Sequence, residues 1–101
     1  MTTVVFSHGK ESGPWGSKIT TLSNVASDMG FGVESIDYQD LDCPEARLAR
    51  LKEFIAEKCN DVVLVGSSMG GYVSLAAASQ ISARGVFLMA PALYLPNYEI
   101  Q

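Results

Sequence analysis

Apolar and polar positions along the chain fall into two alternating patterns. Val4, Val5 and Phe6 within Thr3 to Ser7, and Val62 to Val65 behind Asp61, are unbroken apolar runs of strand length, as in strands buried on both faces. Val33 and Ile36 predict a second strand over 31–38, and Val86 to Ala90 a fourth. Between these runs apolar residues recur at helical spacing: Ile19, Leu22, Val25 and Met29, then Leu48, Leu51, Ile55 and Cys59, then Val73, Ala76 and Ala77. Pro14 suits the first turn of the first helix and Gly30 stops it. The second helix is expected from Asp42 or Cys43, with Pro44 early and Glu45 placed for a capping box. Arg47, Arg50, Lys52, Glu53, Glu57 and Lys58 are expected to form its solvated outer face. Gly85 is expected to end the run of the third helix. The order β-α-β-α-β-α-β predicts a three-layer α/β fold, with a parallel sheet of four strands, right-handed crossovers and helices on both faces.

The 101 residues, 48% apolar and 18% charged, fit one globular unit, residues 1–101. A net charge of −4 without a basic run argues against a nucleic-acid surface. Met1-Thr2-Thr3 leads straight into a strand without a basic leader, and no apolar run reaches membrane-spanning length. A cytoplasmic protein without membrane contact is therefore expected. Cys43 and Cys59, sixteen positions apart, have no Cys or His at metal spacing, so neither a disulfide nor a metal is expected.

Candidate chemistry changes this picture at one stretch, Asp61 to Tyr72, which contains Gly66-x-Ser68-x-Gly70. An apolar strand directly before it and a small-residue helix directly after predict a nucleophile elbow. Ser68 stands at its strained apex, and Gly66 and Gly70 let strand and helix approach. The Met69 amide falls at the helix N-terminus, where it can face an oxyanion. Ser67 is a competing hydroxyl, but it is one position short of the apex. A dinucleotide fingerprint would need glycine at position 68, and no Gly-Lys-Ser/Thr supplies a phosphate loop. The first strand runs into the glycine-rich stretch His8-Gly9-Lys10-Glu11-Ser12-Gly13-Pro14-Trp15-Gly16. In a fold built around such an elbow, a His-Gly after this strand opens the backbone, and the Lys10 amide is the candidate for a second oxyanion donor. His8, the one histidine of the chain, is read as packing and hydrogen-bonding beside that loop rather than as the base. Lys10 and Glu11 either touch substrate or form a solvated pair. Asp37 and Asp40, at the end of the second strand, are read as turn caps. The Pro- and Tyr-rich tail over 91–101 is expected as a loop over the rim.

Taken together, the stretches Ser7 to Gly16, Gly66-Ser67-Ser68-Met69-Gly70-Gly71, Ala90-Pro91-Ala92 and Tyr94-Leu95-Pro96 resemble the α/β-hydrolase superfamily. The resemblance covers the whole chain, and within the superfamily it is to the small, lidless bacterial serine hydrolases. It implies that Ser68 is the nucleophile for a small-molecule ester or thioester and that no cofactor is needed. It also implies an acid and a histidine later in the chain, in the order Ser, Asp/Glu, His. The chain departs from that pattern: no histidine follows Ser68, and the one acid after it is Glu99. Two more strand–helix units, about 60–80 residues at roughly 30 each, would carry the missing pair. The expectation is therefore a partial α/β-hydrolase fold, the front part of a hydrolase, nearly inactive alone. A non-catalytic interaction module and an acyltransferase are the alternatives. With the first helix alone on its face and Val86 to Ala90 at an edge, the chain is expected to self-associate or to be covered by the remainder of its own polypeptide.

Overall fold

The computed structural model describes residues 2–9, 13–58, 61–81 and 83–89. The expected sites at Lys10 and Cys59, and the reading of the tail from Ala90 onward, fall outside these residues. Among the described residues four strands and three helices alternate: β1 (Thr2–Ser7), α1 (Ser17–Asp28), β2 (Gly32–Ile36), α2 (Pro44–Lys58), β3 (Asp61–Ser67), α3 (Met69–Ala78) and β4 (Gly85–Met89). The sheet is parallel throughout with strand order β2-β1-β3-β4. It therefore has helices on both faces, as the alternation of runs predicted.

The period-two geometry of strands divides the apolar residues between the faces. Val5, Ile36, Val62, Leu64 and Val86 face α2 and α3, packing with Leu51, Ile55, Tyr72, Val73 and Ala77. Val4, Phe6, Val33, Val63, Val65 and Met89 face α1, packing with Ile19 and Ala26. Because neighbouring residues of β1 and β3 serve opposite faces, both strands must be apolar at every central position. That requirement explains their unbroken runs. The first face is closed. The second is closed only in part: Val25, Met29 and Phe87 are exposed, and they border an apolar groove of about 620 Å³ together with Phe6, Leu22 and Val65. The bare region beside α1 and the edge position of β4 match the expectation from the sequence.

Four expectations need correction. Pro14 lies in a turn ahead of α1, which begins after Gly16, and its carbonyl accepts from Ser35 Oγ. The second helix begins at Pro44, so Glu45 stands in the first turn but one position short of a box built on Cys43. Helix α3 ends at Ala78, well before Gly85, which is the first residue of β4. Arg47 is not on a solvated face: it is 1% exposed. It stands one helical turn before Leu51 and two before Ile55, and so shares the inward face of α2.

Candidate active site at the carboxyl rim

Parallel strands bring β1 and β3 to the same rim, so Ser7, His8, Ser67 and Ser68 are gathered there by topology alone. Residue 68 joins β3 to α3 without any intervening loop. Its N–H donates to the Met89 carbonyl at 3.1 Å, continuing the β3–β4 ladder, and its own carbonyl accepts from Gly71 and Tyr72 N–H at 2.9 and 3.3 Å, starting the helix. One residue therefore serves as the end of a ladder and the cap of a helix, and the whole reversal falls on its dihedrals. Ser68 has φ 55° and ψ −121°, and among the described residues no other non-glycine has positive φ. Such a conformation costs on the order of 1–3 kcal/mol and persists where the surroundings over-determine it. The side chain is exposed while Met69 and Gly70 beside it are buried.

The two glycines of the motif are required by space. A Cβ on Gly66 would overlap the Gly70 carbonyl, and one on Gly70 would overlap the carbonyls of Ser7 and His8. The start of α3 is thus in backbone contact with the end of β1. Met69 opens the helix, so its N–H is among those that a first turn leaves without an intrahelical partner. The amide of Lys10, the other expected donor, lies outside the described residues. A recess of about 200 Å³ opens between the ends of β1 and β3 and the start of α1, touched by His8, Gly13, Gly16, Lys18 and Ser67, the residue before Ser68.

His8 is fully buried, and both of its ring nitrogens are engaged. The Tyr38 N–H donates to Nε2 at 2.8 Å. Because that nitrogen accepts, the proton of the neutral ring sits on Nδ1, which donates to the Gly9 carbonyl at 2.7 Å. Burial lowers the imidazole's pKa from its ordinary value, with the nearby Arg47 charge acting in the same direction. Asp37 Oδ1 lies 3.9 Å from Nε2, but a nitrogen that accepts an N–H is unprotonated, so this contact is not an ion pair. The one imidazole of the chain is a bracket between β2 and the loop after β1, as its neighbours in sequence suggested.

Tyr38 and Arg47, which the sequence reading did not single out, complete the bracket. Tyr38 is fully buried, its hydroxyl lies 2.8 Å from Ser7 Oγ, and burial pushes its pKa up to about 12. The Arg47 guanidinium lies over the Tyr38 ring at 5.3 Å from the centroid. Its Nε donates to the Leu41 carbonyl at 2.8 Å, and its Nη1 to the carbonyls of His8 and Gly9 at 3.2 and 3.4 Å. The segment between β2 and α2 that presents Tyr38 and Leu41 is itself fixed. Leu41 N–H donates to the Tyr38 carbonyl, Asp37 caps Gln39 N–H at 2.8 Å, and Arg50 forks onto Asp40 at 2.7 and 2.9 Å. Asp37 and Asp40 are turn and ion-pair residues, in keeping with their reading as caps. Among the described residues no cluster of His, Cys, Asp or Glu could hold a metal, and no helix is long and apolar enough to cross a membrane.

A parallel sheet with this strand order, helices on both faces and a strand-to-helix turn at its rim is a partial arrangement of the α/β-hydrolase superfamily. A crystal structure from Xanthomonas campestris pv. campestris, of a protein described as a candidate hydrolase of the alpha/beta superfamily, superposes with a TM-score of 0.89 at 34% identity. The match covers 97% of this chain and 63% of that one, so the chain spans less than two thirds of that protein's length. The chain belongs to the uncharacterised protein family UPF0227, whose profile matches residues 3–99. No curated protein matches it.

Proposed function

We propose that this chain forms the N-terminal portion of a single α/β-hydrolase domain and carries the nucleophile of a serine hydrolase acting on small carboxylic esters or thioesters. Ser68 attacks the acyl carbonyl, and the amides of Met69 and Lys10 stabilise the tetrahedral oxyanion. The acid and the histidine that activate the serine follow it in the polypeptide, beyond these 101 residues. The observation that carries this reading is the backbone of Ser68, an exposed serine at φ 55° and ψ −121° between a buried strand and a buried helix. Strain of that kind is retained where a side chain must be presented. The 34% identity to a protein described as a candidate hydrolase supports the reaction class.

Hydrolysis of short-chain p-nitrophenyl esters and acyl thioesters by the full-length protein tests the proposal. Turnover should fall in Ser68→Ala to the residue of about 10³–10⁴-fold over water that binding and oxyanion donors supply without a triad member. Equal rates in the wild type and Ser68→Ala would refute it. One observation favours a non-catalytic reading of the chain taken by itself: its one histidine is buried and bonded at both nitrogens, and so is not available to Ser68. Absence of turnover in the full-length protein would extend that reading to the whole.

A further inference from the structure

We infer that Arg47 is a positioning residue for the oxyanion loop, setting the orientation of the peptide units that follow β1. The inference rests on the serine-hydrolase reading above and adds to it a residue far from Ser68 in sequence. A buried guanidinium is costly to desolvate, and an apolar side chain of similar volume would often be as stable in its place. Among the described residues no carboxylate lies within ion-pair distance of Arg47. Among the described residues it contacts the carbonyls of Leu41, His8 and Gly9 and the face of Tyr38. A charge held in this way gathers carbonyls.

The carbonyls it gathers are informative. His8 and Gly9 begin the two successive peptide units that lead from β1 into the glycine-rich loop, and the second of these units ends in the Lys10 nitrogen. A trans peptide is planar, and its C=O and N–H turn as one body on opposite sides. Holding the Gly9 carbonyl therefore constrains the planar peptide unit that begins at Gly9. The Gly9 carbonyl accepts from His8 Nδ1 at 2.7 Å and from Arg47 Nη1 at 3.4 Å. The His8 carbonyl accepts from Arg47 and also lies against Gly70, where a Cβ would overlap it. Gly70 lies two residues after Ser68, so the same carbonyl touches both the clamp and the start of the nucleophile's helix. Glycine at position 9 leaves the backbone pliable, and an external clamp is needed to select one orientation.

The test uses the full-length protein with p-nitrophenyl acetate, and Ser68 is titrated with a fluorophosphonate. Arg47→Met removes the donors, Arg47→Lys retains one, and Arg84→Lys at the opposite end of the sheet serves as control. Arg47→Met is expected to lower kcat by about 10²-fold, the lower end of the effect of losing an oxyanion donor. KM should be nearly unchanged, cooperative melting kept and Ser68 still titrating to completion. Arg47→Lys should fall between Met and the wild type, and Arg84→Lys should match the wild type. An unchanged kcat in folded Arg47→Met overturns the inference. So does a loss of turnover that only tracks a loss of titratable Ser68, and so does failure of both variants to fold, since each makes Arg47 purely structural. A folded wild type that neither titrates at Ser68 nor turns over ester refutes the serine reading itself, and the inference falls with it.

Discussion

At the amino end of the sheet, Asp61 accepts from Thr2 Oγ1 at 2.6 Å and pairs with Arg84 at 2.8 Å, with two thirds of the Arg84 side chain in water. At the carboxyl rim, Ser7, His8, Tyr38 and Arg47 form a polar cluster of which no member exceeds 1% exposure. Both ends must close the same four strands, so closure does not require the second arrangement. An exposed pair contributes little and adapts to change, whereas a buried and satisfied network fixes one geometry and is costly to disturb. Among the described residues, the strained Ser68, the close backbone approach at Gly70 and the buried charge of Arg47 all lie at the end where Ser68 emerges. That difference is the contrast on which the proposed site at this rim rests.

The comparison is broken most severely at Gly70. Gly70→Ala puts a Cβ into the carbonyls of Ser7 and His8, and backbone cannot rotate aside as a side chain does. The expected cost is at least about 3 kcal/mol, the upper part of the usual overpacking range, read as a lowered midpoint in urea unfolding. A midpoint within error of the wild type would mean that the two segments are not in contact.

A smaller effect is expected from pH. Burial lowers the pKa of His8 below its ordinary 6.5, so the folded protein keeps the ring neutral while the unfolded chain takes up a proton. Stability is therefore fully present above about pH 6.5 and is lost as pH falls toward the lowered value. Melting temperature should drop more steeply between about pH 7 and about pH 5 in the wild type than in His8→Gln, which cannot titrate there. Parallel pH profiles would contradict the buried, neutral ring. The smallest effect belongs to the other end: Arg84→Ala should leave the urea midpoint within measurement scatter, and a clear loss of stability would erase the contrast between the two ends.

Much of this was legible in the sequence. Runs such as Val62 to Val65 announce strands buried on both faces, and glycine on either side of Ser68 announces a turn with no room for side chains. The bare face beside α1 followed from the family resemblance, in which a later helix shares that face with the first. What escaped was the polar bracket. Arg47 was read by charge when its helical spacing from Leu51 and Ile55 already placed it inward. Tyr38 shares the parity of Ile36 and so its face of the sheet, but the regular strand stops at Ile36, and past a strand end alternation is weak guidance. Its pairing with Ser7 depends on tertiary approach across 31 residues, for which no local pattern exists. The helix ends were misjudged at Pro14 and Gly85 because both residues are equally at home in turns.

The central claim is that Ser68 is the nucleophile, and a serine-directed fluorophosphonate tests it most directly. The full-length protein is labelled, digested and mapped by mass spectrometry, alongside Ser68→Ala and Ser67→Ala. The account predicts one adduct, on Ser68, that disappears in Ser68→Ala and persists in Ser67→Ala. An adduct on Ser67, or a folded protein that takes none, would contradict it.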